Sequence, residues 1–336
     1  MDVFFTNETA LEFWRLHRRS KENRIYSPCQ RRLPCEASAS DAARLGEAWG
    51  LTLPLDIMLG ELSARRPSKA IRPYVCSKPV PNGAFVNVGD GLYMSSPEFC
   101  FFRMAAKYPL AKLITLGFEM CGSYSLPGSA STGGDQSDLI QTIFNLPPLT
   151  SKKKLTAFSA RMEGWVGHKQ ALKALRFIAD DSASPMETIL VILLTLPYRL
   201  GGYKLPLPEL NGSIYPNRRV SQFAGKSFYR GDLLWRDVGV VAEYNSDAEH
   251  ASSNRIAMDA IRRNDLSLCG IFEVTVTKKQ IKSIELFDKV ARQIAARIGK
   301  ELQYKEPEFF KARRELRSVL LSSETSVAPR KCGMTE

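Results

Sequence analysis

The chain has 336 residues, 44% of them hydrophobic and 24% charged, which is ordinary for a globular protein with a sizeable core and fits two domains. Forty-seven Lys and Arg against thirty-five Asp and Glu leave a formal net charge of +12, which favours a polyanionic partner, nucleic acid or an anionic surface. The longest apolar run, Thr188 to Leu196, is far short of the ~20 residues that cross a bilayer, so a membrane span is not expected.

In chain order, residues 7 to 20 read as a helix, because "TALEFWRLHRR" carries apolar residues at helical spacing. From Tyr26 to Pro81 the chain is rich in Pro, Arg and Cys, with one or two short helices between Asp41 and Leu62. A strand or hairpin around Phe85 to Tyr93 leads to Ser95 or Ser96 as a helix cap, with Pro97 in the first turn. That helix is expected to run to about Cys121. Ser123 to Asp138 is loop by its Gly, Ser and Pro content. Thr150 to Ser184 is mostly helical with basic faces, and its end, "DDSAS", marks a domain boundary. Residues 1–180 are therefore expected to be a mainly helical scaffold.

From Ser184 the pattern becomes a compact α/β series. A helix is predicted over 185–196, strands near 213–218, 230–236 and 239–245, then a helix over 252–268. A strand over 271–276 and a long helix over 278–303 complete a domain spanning 181–303. A basic helix, "EPEFFKARRELRSVLLSS", and a disordered tail fill 304–336.

The opening residues have an acid at Asp2 and lack the basic-then-apolar order of a signal peptide. Seven cysteines at irregular spacing contain no C-x-x-C pair, so neither a zinc ribbon nor a thioredoxin-like site is readable. Free thiols in a reducing cytoplasm are the expected state.

The informative stretch is "GDLLWRDVGVVAEYNSDAEH", Gly231 to His250. With a loop of two or four residues centred on Asp237 and Val238, Trp235 faces Val240 and Asp232 faces Glu243. A three-residue loop using Gly239 as a bulge breaks that parity. Like charges facing each other across a sheet are unfavourable without compensation. A divalent cation supplies it, since Mg²⁺ takes one or two carboxylates and keeps several waters. Solvated acids at strand ends are the plainer alternative. Asn245, two residues beyond Glu243, shares its face.

Other residues have two readings each. Glu187 in "SPMETIL" sits at the N3 position after Ser184, which makes it a capping-box residue or a third acid directed at a metal. His250 is either structural or positions phosphate or water. Asp259 precedes Arg262 and Arg263 by three and four residues, the spacing of a local ion pair. Alternatively, Arg262 or Arg263 reaches a phosphate. Lys278, Lys279 and Lys282 form a cluster that is either a solvated helix start or part of a phosphate contact. With only His17, His168 and His250, covalent catalysis has little to build on.

The order of these signals, Ser-Pro-x-Glu, Asp-Leu-x-Trp, Val-x-Glu-Tyr with a following His, then Asp-x-x-Arg before a Gly and a strand, resembles the PD-(D/E)XK nuclease superfamily. It is most similar to the very-short-patch-repair-like endonuclease domain found in AbiEi-like antitoxin and phage-defence proteins. The resemblance covers Ser184 to Thr277. It implies an α/β (α+β) fold: the mainly helical N-terminal region followed by a restriction-endonuclease-like domain, with a mixed central sheet flanked by helices. It implies Mg²⁺ or Mn²⁺ held by Asp232 and Glu243 with help from Glu187. It also places Asn245 and His250 at the catalytic centre. The family often has Lys where this chain has Asn245, and the subgroup reads Glu-x-Asp-Gly where this chain reads Glu-Tyr-Asn-Ser. Lys226 or Arg230 is the nearest substitute for the missing cation. The segment "LYMSSPEFCFFRMAA" with "LITLGFEMCGSY" is similar to the region preceding that domain in AbiEi-type proteins, and it carries no site residue.

Two functions follow as expectations. One is metal-dependent hydrolysis of DNA phosphodiesters in defence, repair or mobile-element biology. The other is a nucleic-acid-binding regulator that keeps the fold without the activity, such as an antitoxin with a cognate toxin protein. Convergence of Glu187, Asp232 and Glu243 in one cleft favours the enzyme, whereas a salt bridge filling that cleft favours the binder.

Overall fold

The computed structural model describes residues 2–19, 26–29, 32–61, 66–127, 141–216, 227–245 and 253–322. The chain divides into two compact units, Met1–Ile178 and Ala179–Glu336. Its fold is α/β, with mixed sheets flanked by helices.

The first unit runs β1 (Val3–Phe5), α1 (Asn7–Arg19), β2 (Ser27–Pro28), α2 (Ala39–Ala48), β3 (Leu55–Leu59), β4 (Ile71–Val75), β5 (Phe85–Gly89) and β6 (Leu92–Ser95). It continues with α3 (Pro97–Met104), α4 (Leu110–Cys121), β7 (Tyr124–Ser125), β8 (Ile143–Phe144), α5 (Lys152–Ala160) and α6 (His168–Leu175). The expected scaffold of helices is thus built on a six-stranded sheet of order β2-β5-β6-β1-β3-β4. In it β1 is parallel to β6 and antiparallel to β3, and the residues of β1 and β3 are buried. The single helix expected up to Cys121 is two, because Pro109 disfavours helical backbone at the residue before it and offers no N–H. Arg18 ties this unit together. Its buried guanidinium donates to the carbonyls of Glu119, Gly122, Tyr124 and Pro147, taking up acceptors at the end of α4 that the helix itself leaves unpaired.

The second unit follows its expected series, except that the strand expected near 213–218 lies four residues earlier and residues 217 and 218 lie outside the described residues. It contains α7 (Pro185–Thr195), β9 (Glu209–Ile214), β10 (Tyr229–Trp235), β11 (Val240–Asn245), α8 (Ser253–Leu268), β12 (Phe272–Thr277), α9 (Lys278–Lys282), α10 (Ile284–Arg297) and α11 (Glu308–Ser322). The long helix expected over 278–303 is interrupted at Ser283, whose side chain accepts from the Leu286 N–H and starts α10 as a separate helix. α7 is buried along its length, as its run of Ile, Leu and Val requires. Four strands lie in the order β12-β11-β10-β9. β9, β10 and β11 form an antiparallel meander, and α8 then crosses over so that β12 pairs parallel to β11. Ile214, Tyr229, Leu234 and Val241 pack with Leu266 of α8. The Tyr229 hydroxyl donates to the buried Asp265 carboxylate at 2.6 Å, which pins that helix to the sheet.

The C-terminal helix is not the separate basic segment expected of 304–336. α11 packs on α7, and its Arg313 and Arg317 are buried. Arg313 pairs with Asp288, and Arg317 donates to the Ile281 carbonyl. Residues 323–336 lie outside the described residues.

The hairpin turn depends on one glycine. Gly239 follows a 3-10 turn over Arg236–Val238 with φ +62°, and a Cβ there would stand 2.7 Å from the Gly270 carbonyl oxygen. Gly239→Ala is expected to cost about 2 to 3 kcal/mol through left-handed strain and crowding, read as a lowered urea midpoint. An unchanged midpoint contradicts this placement of the turn.

Candidate functional site

The β10–β11 ladder pairs Trp235 with Val240, Leu234 with Val241 and Leu233 with Ala242, the even register expected. Asp232 sits one position past the last of these pairs, on the side of Glu243. There the side chain takes over from the backbone: Asp232 Oδ2 accepts the Tyr244 N–H at 2.7 Å. Gly231 leaves room for Val241, since a Cβ on it would stand 2.4 Å from Val241 Cγ2, while Glu243 Oε1 at 3.6 Å is in ordinary contact.

Glu243 is met by Arg262, which donates to its Oε1 at 2.5 Å and to the Arg230 carbonyl at 2.8 Å. The two side chains keep 18% and 27% of their exposure, so the pair is largely withdrawn from water. Arg262 therefore pairs across the sheet rather than with Asp259 on its own helix. Arg263 lies 3.8 Å from Glu273 Oε1, also across elements.

These residues line a cleft of about 180 Å³ between α8 and the β11–β12 pair. β11 contributes Glu243, Tyr244 and Asn245, α8 contributes Asp259, Arg262 and Arg263, and β12 contributes Glu273 and Thr275. Of the sequence-derived site residues, the cleft collects Glu243, Asn245, Arg262 and Arg263. Neither Asp232 nor Glu187 lines it. Lys278, Lys279 and Lys282 are exposed on α9, whose start is fixed by a capping box of Thr277 and Gln280. Thr277 pairs with Asn245, so the lysines follow directly from the strand end at the cleft. His250 and Lys226 lie outside the described residues.

Glu187 is the capping residue of its two readings. Its N–H donates to Ser184 Oγ at 3.1 Å, and its Oε2 accepts from the Ala183 N–H at 2.9 Å and from Asn211 Nδ2 at 2.7 Å. It still acts on Asp232 through its charge. Burial pushes the Asp232 carboxyl from 3.8 to about 7, the Glu187 carboxylate adds to the rise, and the Tyr244 N–H and Arg262 oppose it. Burial and Asp232 push Glu243 from 4.5 to about 8 against Arg262, with Glu273 adding to the rise.

The metal set implied by the resemblance is testable on its donors. Asp232 holds a backbone N–H, Glu187 holds a backbone N–H and an amide, and Glu243 holds a guanidinium. Among the described residues no group of three or more His, Cys, Asp or Glu side chains is arranged to hold a metal ion. As arranged, Glu187, Asp232 and Glu243 do not fit a shared Mg²⁺ or Mn²⁺.

Sequence reasoning missed Glu273 and Asp265. Glu273 is an acid inside the apolar strand "IFEVTV", opposite Val241 of β11, and that interruption was its signal. Asp265 was hidden in a helix of mixed polarity, and only the Tyr229 contact reveals it.

The chain matches no family model, no curated protein and no solved structure.

The raised carboxyls imply a pH dependence. Between their ordinary values of 3.8 and 4.5 and their folded values of about 7 and about 8, the folded state holds protons that the unfolded state has released. Stability then falls as pH rises through that window and levels off above it. Urea midpoints from pH 5 to 8 should fall in the parent chain, and Asp232→Asn should flatten the decline. An equal slope in Asp232→Asn contradicts the assignment.

Proposed function

We propose that the second unit is a PD-(D/E)XK-like domain of the very-short-patch-repair type that binds nucleic acid without cutting it. The observation that carries this reading is the Arg262–Glu243 ion pair, which places a guanidinium on the acid the resemblance assigns to a metal. Three further features agree with it. Asn245 stands where a cationic Lys supports catalysis in relatives, and Asn does not ionise. The three expected metal ligands are each committed elsewhere. The net charge of +12 suits a polyanion.

Phosphates would meet Arg263 at the rim of the cleft and Lys278, Lys279 and Lys282 on α9, all of them exposed. The resemblance extends the reading to a regulator, such as an antitoxin acting with a cognate toxin protein. Among the described residues no helix is long and apolar enough to cross a membrane, and no disulfide joins the six described cysteines. The irregular cysteine spacing, with no C-x-x-C pair, is the ground on which we propose a reducing cytoplasm.

A second reading, metal-dependent phosphodiester hydrolysis, is favoured by one specific observation. The Glu187 charge raises the pKa of Asp232 and the Asp232 charge raises that of Glu243, a repulsion that Arg262 opposes without cancelling. A divalent cation would offset it.

Anisotropy with labelled duplex DNA across a salt series tests the first reading. Binding should weaken with a log–log slope of about −0.9 per phosphate neutralised, and replacing Lys278, Lys279 and Lys282 by Ala should shrink the slope by about 2 to 3. Binding that is flat in salt removes nucleic acid as the partner. Supercoiled plasmid and single-stranded DNA incubated with Mg²⁺, Mn²⁺ or EDTA separate the two readings. No cleavage is expected. Metal-dependent cleavage lost in both Asp232→Ala and Glu243→Ala establishes the enzyme instead.

A further inference from the structure

We propose that Tyr215 and Phe228 form a stacking platform for an unpaired base of a single nucleic-acid strand, with Arg230 placed to meet a phosphate of that strand. This rests on the nucleic-acid reading above and deepens it by naming the form of strand bound. It uses neither the acid cleft nor the α9 lysines.

Its starting point is a pair of large rings left in water. Tyr215 is 70% exposed and Phe228 49%. They are the residues next beyond the Ile214–Tyr229 pair of the β9–β10 ladder. Ile214 and Tyr229 are buried in the core, and the alternation of side chains along a strand turns the next residues outward. The ring centroids of Tyr215 and Phe228 are 6.1 Å apart with their planes inclined by 37°, so each ring braces the other. Bracing the hairpin accounts for that contact. It does not account for the arginine and the cavity that stand beside Phe228.

Arg230 lies two residues from Phe228 on β10, so both side chains leave the same face of the strand. It is exposed, and among the described residues its guanidinium has no hydrogen bond or ion pair. Its neighbours differ. Arg236 is held by Glu209, and Arg262 by Glu243. A cavity of about 420 Å³ lies beside the ring, lined by Ser227, Phe228, Tyr229, Arg230 and Arg262. That volume is within the roughly 300–1,000 Å³ of small-ligand sites. Among the described residues no acid lines it, unlike the cleft over Glu243. An aromatic face next to an uncommitted cation is the pairing that takes up a base and its phosphate together. Duplex DNA keeps its bases stacked inside and offers phosphates alone, so the rings favour a single strand, whose bases are free to stack on them.

Anisotropy of the full chain with a labelled single-stranded oligonucleotide, and with the duplex of the same sequence, tests this. The single strand should bind more tightly than the duplex. Phe228→Ala and Tyr215→Ala should each weaken single-strand binding by about 5-fold to 150-fold, with the salt slope and the duplex affinity unchanged. Phe228→Trp should retain single-strand binding, and Arg230→Gln should shrink its salt slope by about 0.7. Photo-crosslinking of the parent chain to an iodouracil-substituted strand locates the base without any substitution in the protein, and adducts on Tyr215 or Phe228 support the proposal. It is overturned by aromatic variants that bind the single strand like the parent, or by adducts confined to other residues. Equal losses on single strand and duplex with a lowered urea midpoint overturn it in favour of a purely structural pair. A free mononucleotide that binds as tightly as the oligonucleotide overturns the strand in favour of a small ligand. Salt-sensitive duplex binding that depends on Lys278, Lys279 and Lys282 but not on the rings would sink this proposal and leave the nucleic-acid reading standing. No salt-sensitive binding of either form would sink both.

Discussion

Two carboxylates withdrawn from water on neighbouring strands, with one arginine answering them, set the terms for the whole second unit. A buried acid without a partner is costly, and two side by side are more so. The fold meets that cost piecemeal. The Tyr244 N–H serves Asp232, Arg262 serves Glu243, and both acids keep raised pKa values even so. The rest of the unit positions these answers. The Tyr229–Asp265 hydrogen bond and the Leu266 packing hold α8 where Arg262 reaches the sheet. Gly231 leaves the space in which the Val241 side chain lies.

The cleft is consequently of mixed charge rather than simply basic. Glu243, Asp259 and Glu273 face Arg262 and Arg263. A site of this kind is poorly matched to a bare phosphate, which meets repulsion from the acids. The exposed cations assigned to phosphate are Arg263 and the α9 lysines.

The second unit was legible in the sequence because its strands are bounded by strong local signals. Of the two registers the Asp237–Val238 turn left open the structure takes the even one, and Ser184 and Gly270 marked element ends. The sheet of the first unit was not legible beyond the Phe85 hairpin. β1 and β2 have three residues and two, β3 is buried at every position and so shows no alternation, and β4 carries Pro73. Such strands are defined by pairing across long sequence separations, which no local pattern carries. At the site, the acid pair was readable from spacing, and the structure decided between the two registers that spacing left open. The partner of Arg262 was not, because helical spacing pointed to Asp259 while the tertiary packing of α8 turned it toward Glu243. Glu187 showed the reverse. Its local reading as a cap was sufficient, and the hydrogen bonds to Ala183 and Asn211 follow that role.

The most direct measurement is a titration of the side-chain carboxyl carbons of Asp232 and Glu243 by NMR, in the parent chain and in Arg262→Gln. The account predicts midpoints near 7 and 8, well above the ordinary 3.8 and 4.5, with Glu243 rising further once Arg262 is gone. Two ordinary midpoints, unmoved by Arg262→Gln, would mean that the acids are solvated strand-end residues and that the cleft is not a charged site.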